Sequence, residues 1–185
     1  MDQNKFVGLE VTGNSIEVAV RPTGELWTTP SCDEGVAEVA DRLLYLHPDL
    51  VVMQDYGQPE LTVAGVLAAV GLPFALIPPR SIREFARAIG RVTRERQASL
   101  LAQFAELVQP EPQFVSEEVV QQLTDLQARR RELNEMLSND RNRTKGSSAV
   151  VVKDIQAHMQ FLERALKING EQFKRIVRFG RVPLS

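Results

Sequence analysis

The chain has 185 residues, of which 43% are hydrophobic and 25% charged, and a net charge of −2. That composition fits one globular domain with an appendage and excludes a low-complexity or disordered chain. No apolar run reaches the ~20 residues needed to cross a bilayer. The start, Met1-Asp2-Gln3-Asn4-Lys5, lacks the basic and apolar regions of a signal peptide, so a cytoplasmic location is expected. The single Cys32 excludes an internal disulfide and a cysteine zinc cluster. Lying between strand and helix signals, it reads as a plain buried thiol.

Phe6, Val7, Leu9 and Val11 form a nearly continuous apolar run, as in a strand covered on both faces. Glu10 interrupts it. A carboxylate there is costly to bury unless it is paired, hydrogen-bonded or metal-bound; a strand-end glutamate facing water is the plainer reading. Thr12-Gly13-Asn14-Ser15 is a turn, and Ile16, Val18 and Val20 alternate as a second strand. Gly24 to Thr29 reads as a third strand, closed by Pro30. Asp33-Glu34-Gly35 opens a helix whose apolar residues run from Val36 to Leu46. Leu50-Val51-Val52-Met53 is a buried parallel-type strand, and Gln54-Asp55-Tyr56-Gly57 follows at its C-terminal end, where open α/β sheets keep ligand sites. Leu61 to Val70 is a second helix ending at Gly71. Pro73 to Ile77 is a fifth strand. Ser81 with Glu84 makes a capping-box pattern for a third helix, which Gly90 ends, and Ala98 to Val108 forms a fourth. Strands alternating with helices imply a parallel portion with right-handed crossovers.

Gln109-Pro110-Glu111-Pro112 is a linker, dividing the chain into residues 1–109 and 110–185. Beyond it, Val119, Leu123, Leu126, Leu133 and Leu137 follow a heptad pattern with Arg130 in one seam position. Lys145-Gly146-Ser147-Ser148 breaks the helix. Val151, Ile155, Met159, Leu162, Leu166, Phe173 and Ile176 then repeat at helical spacing. The two helices make a hairpin whose apolar strips need a neighbour, so self-association is expected. A hairpin folded back on the first domain is the alternative.

The charge is uneven. Residues 1–90 carry six Lys/Arg against twelve Asp/Glu, and residues 91–185 carry sixteen against twelve. Basic groups gather at Arg129-Arg130-Arg131, at Arg141, Arg143 and Lys145, and at Lys174, Arg175, Arg178 and Arg181. Such charges suit phosphate neutralisation, and they equally suit the solvated faces of a coiled coil. The first two clusters lack interleaved aromatics for base stacking.

The segments Phe6–Val11, Pro48–Met53, Gly71–Phe74 and Pro79–Gly90 resemble the N-terminal half of DEDD transposases, the recombinases of the insertion-sequence 110 family related to Piv-type invertases. The likeness continues through Leu101–Glu106 and Arg130–Leu133 with Asn139–Arg143. It implies an α/β fold: a RuvC-like, ribonuclease-H-like mixed sheet with flanking helices, followed by a helical hairpin or coiled coil. It also implies a site of four metal-binding acids, action on DNA with a structured guide RNA, and a second domain with a nucleophilic serine.

The chemistry departs from that pattern. Glu10 matches the first acid, but Gln54 matches the second, and Arg94 and Gln97 match the last pair. Two-metal phosphoryl chemistry needs several anionic oxygens; an amide is a weak ligand and a guanidinium repels the ion. No segment resembles the serine-bearing domain. The expected function is therefore a catalytically inactive relative that binds DNA or structured RNA and dimerises through the coiled coil, with Arg91, Arg94 and Arg96 on a phosphate backbone. No cofactor is expected. One alternative is a nuclease with a rearranged site, in which Glu10 with Asp55, Glu60 or Glu95 holds Mg²⁺ or Mn²⁺. Another is a structural protein–protein adaptor.

Overall fold

A computed structural model describes residues 4–57, 59–90, 96–113 and 115–179. Strand β1 (Phe6–Val11) and strand β2 (Ser15–Arg21) form the expected hairpin, with Thr12 Oγ1 and the Ser15 backbone closing the turn. Strand β3 (Leu26–Pro30) adds antiparallel to β2. Helix α1 (Asp33–Leu46) leads to strand β4 (Leu50–Gln54), helix α2 (Pro59–Ala69) and strand β5 (Phe74–Ile77). Helices α3 (Pro79–Ala88), α4 (Gln97–Val108), α5 (Glu117–Arg143) and α6 (Ala149–Phe179) follow, the last two joined by a 3₁₀ turn at Thr144–Gly146.

The five strands form one mixed sheet in the order β3-β2-β1-β4-β5, with β1 parallel to β4 and β4 parallel to β5. β1 is the central strand and β4 its parallel neighbour, each with a strand on both sides and helices over both faces, which explains their near-continuous apolar runs. Alternation sends Val7, Leu9 and Val11 to one face, among Val39, Leu43, Val63 and Leu67 of α1 and α2. Phe6 points to the other, with Ile82 of α3 and Leu101 and Phe104 of α4. Gly8 lies on that second face against the α4 backbone: a Cβ there would overlap the Ala98 carbonyl, Leu101 and the Ala102 amide. This close approach seats the start of α4 over the centre of the sheet.

Three local expectations are corrected. Cys32 is exposed, because it is the N-cap of α1 and stands outside the layer that α1 covers. Ser81 does not cap α3. The helix starts two residues earlier at Pro79, whose ring presets the first helical φ, and Glu84 instead accepts from Arg80 Nε at 2.7 Å. Helix α2 likewise begins at Pro59 rather than Leu61.

The base of the α5–α6 hairpin finds its neighbour within the chain. Leu123, Phe173 and Val177 belong to the core under α1 and α2, and Gly65 of α2 lies directly against Phe173 and Val177. Only toward its tip does the hairpin form a separate cluster, Leu133 and Leu137 against Leu162. Arg130 ties the middle to α1: its Nε donates to Asp33 Oδ1 and Oδ2 at 2.8 and 2.7 Å, and its Nη1 to the Leu166 carbonyl at 3.3 Å. Asn134 donates to the same Asp33 carboxylate at 2.6 Å. No helix among the described residues is long and apolar enough to cross a membrane.

Candidate functional site

The site lies at the C-terminal ends of the central parallel strands. Leu9 pairs with Met53, so Glu10 and Gln54 stand one residue further along adjacent strands. Gln54 is buried at 7% exposure. Its Oε1 accepts from Gln97 Nε2 at 3.0 Å and from Tyr56 Oη at 2.9 Å. Gln97 is the first residue of α4. Three of the four positions singled out in sequence, Glu10, Gln54 and Gln97, therefore meet at one end of the sheet. Arg94, with Arg91 and Glu95, falls outside the described residues.

Glu10 is opposite Glu17 across the β1–β2 ladder. Burial raises its carboxyl above the usual range, and the Glu17 charge raises it further. Glu17 is itself compensated by Arg96, whose Nη1 donates to Oε1 at 2.9 Å. Arg96, expected on a phosphate, is thus paired within the site.

This donor set does not fit a pair of divalent ions. Both lone pairs of the Gln54 carbonyl oxygen are taken by protein donors. Glu17 is held by a guanidinium. Glu10 is a carboxylate in an environment that disfavours its charge. Glu60 is buried on α2, which packs on the other face of the sheet; its Oε1 accepts from the Gly57 amide and its Oε2 has no hydrogen-bond partner among the described residues. Among the described residues no group of three or more His, Cys, Asp or Glu could hold a metal. The arrangement can instead present hydrogen-bond donors and acceptors: the Tyr56 ring, 65% exposed, and the amide and guanidinium groups behind it.

The remaining basic residues fall on the hairpin. Arg129 pairs with Glu132 at 2.8 Å, Arg130 is held by Asp33, and Arg141 lies 3.7 Å from Glu163. Arg131, Arg143 and Lys145 are exposed. Sequence reasoning placed Tyr56 in the stretch at the end of β4 without giving it a role, and missed Glu17 as a member of the site. For Glu17 a signal existed, since β2 alternates and places it on the same face as Ala19, which packs on α4.

The sequence matches no protein-family model and no curated protein.

Proposed function

We propose that the chain is a catalytically inactive, transposase-like protein: a RuvC-like scaffold whose metal site has become a hydrogen-bonded amide pair, kept as a nucleic-acid-binding and dimerising module. The observation that carries this reading is the Gln97–Gln54 hydrogen bond beside Glu10. Two residues 43 apart in sequence, both at positions where the resembling transposases have metal-binding acids, come together at the C-terminal edge of the sheet. Two carboxylates in those places would repel each other without an ion, whereas two amides bond directly. The strand order, with three antiparallel strands followed by two parallel ones, supports the ribonuclease-H-like assignment. Arg143 and Lys145 at the hairpin tip are the exposed cations best placed for a phosphate backbone. Self-association would use the outer face of α6, where Phe161 and Ile168 are 61% and 55% exposed and seven residues apart.

The test is filter binding of the full chain to a structured RNA and to duplex DNA over a salt series. Binding that weakens with salt is expected, and Arg143→Ala/Lys145→Ala should reduce the slope of log affinity against log salt by about 1–2. No binding to either polymer at low salt refutes the reading.

A further inference from the structure

A second site lies on the opposite face of the sheet from the Gln54–Gln97 pair. Helices α1 and α2 on one side and the α5–α6 hairpin on the other enclose a cleft of about 660 Å³. That is within the ~300–1,000 Å³ of small-molecule pockets. Its floor is apolar, with Val36, Leu61, Val66 and Phe173. Six cationic and two acidic side chains line it, a net charge of +4. Asp33 is consumed by Arg130. Arg131 on α5 and Lys167, Arg175 and Arg178 on α6 have no ion-pair partner among the described residues. Cations set close together on the two helices of the hairpin repel one another, and an anion bound in the cleft relieves that repulsion.

We propose that this cleft binds a phosphorylated small molecule with a flat apolar body, of the nucleoside di- or triphosphate class. The apolar floor, with Phe173 beneath and the exposed Phe179 at the rim, accepts a planar ring. The guanidinium groups of Arg131, Arg175 and Arg178 match phosphate oxygens in pairs. The Arg130–Asp33 bridge spans from α5 to α1 in the wall of the cleft, which favours a discrete ligand over a strand threading through. Binding joins the hairpin to α1 and α2, so it would brace the contact between the two parts of the chain. The proposal does not depend on the nucleic-acid reading, whose exposed cations, Arg143 and Lys145, lie outside the cleft.

The experiment is calorimetric titration of the full chain with ATP, AMP, adenosine and inorganic pyrophosphate, with a twelve-nucleotide single-stranded RNA as a competitor. The affinity order ATP, AMP, adenosine is expected, with pyrophosphate weaker than ATP. Arg175→Ala/Arg178→Ala on α6 and Arg131→Ala on α5 should each weaken ATP binding about tenfold or more. Both leave thermal stability unchanged, because these side chains are exposed and make no internal pair. No heat with ATP at millimolar concentration overturns the proposal. So does pyrophosphate binding as tightly as ATP, which would make the apolar floor irrelevant. RNA binding that is lost in these variants while ATP never binds would assign the cleft to a polymer and also overturn it.

Discussion

Replacing Gly8 with alanine tests the packing that builds the candidate site. The added methyl falls on the α4 backbone, at the Ala98 carbonyl, Leu101 and the Ala102 amide. Nothing there can rotate away, because all three are main-chain groups of one hydrogen-bonded helix. Relief requires α4 to withdraw as a body from β1 and β2, opening the contacts of the fully buried Ala98, Leu101 and Ala102. Overpacking a tight core costs ~1–3 kcal/mol. A rigid backbone neighbour places Gly8→Ala at the upper end, about 3 kcal/mol. The control is Gly13→Ala, where a Cβ meets nothing within 4 Å, expected within about 0.5 kcal/mol of wild type. Urea unfolding followed by circular dichroism reads both. Because α4 also carries Gln97 to Gln54, any folded Gly8→Ala protein should show altered Tyr56 fluorescence. If Gly8→Ala is no more destabilising than Gly13→Ala, the close approach of β1 and α4 is wrong, and with it the placement of Gln97.

The other expectations follow from single contacts. Glu10 has a folded-state pKa above its ordinary value, so its charge opposes folding at neutral pH and the penalty vanishes once both states are protonated, below about pH 4.5. Glu10→Gln removes a charge that burial, and then Glu17, disfavours, so it should stabilise at pH 7, by about 0.2–1 kcal/mol. The gain should shrink as the pH falls; an equal gain at pH 4 and pH 7 would exclude an electrostatic origin. The Arg130–Asp33 pair should give a coupling energy of about 0.5–3 kcal/mol in a double-mutant cycle with Arg130→Met and Asp33→Asn, and additive single mutants would remove its role as a tie between α5 and α1. Gly65→Ala drives a methyl into Phe173 and Val177, so it should expose the hairpin base to limited proteolysis before the sheet unfolds. Unchanged cleavage rates would contradict the docking of α6 on α2. Gln54→Glu with Gln97→Asp puts carboxylates in place of the two hydrogen-bonded amides beside Glu10 and should create Mg²⁺-dependent thermal stabilisation that wild type lacks. No shift with added Mg²⁺ would show that the strand ends are not arranged as a metal site.

Much of the sheet was legible because burial writes itself into local patterns. The short apolar runs at Val51–Met53 and Phe74–Ile77, bounded by turn residues, required only that both faces of a strand be covered, and the alternation at Ile16–Val20 required only the two-residue period of a strand. Helix starts were less legible. At Ser81 a capping-box pattern competed with Pro79 two residues earlier, and the preset φ of proline prevailed. The fate of the hairpin was not decided by its own residues: an apolar strip on α6 fits a second copy of the chain as well as it fits α2. The clue lay elsewhere. Helix α2 buries Leu61, Val63, Ala64, Val66, Leu67 and Ala68, residues on every side, and a helix apolar all round must be covered on two faces.

By itself, then, the sequence determined an alternating α/β domain with a helical hairpin behind it, because strand and helix periods are properties of neighbouring residues. It also placed amides rather than carboxylates at Gln54 and Gln97, which needs only residue identity. Tertiary structure alone decided that those two amides touch, that Arg130 closes on Asp33 97 residues away, and that cations from α5 and α6 face one cleft. Those are long-range meetings, set by how α4 and the hairpin pack on the two faces of the sheet, and no local period encodes them.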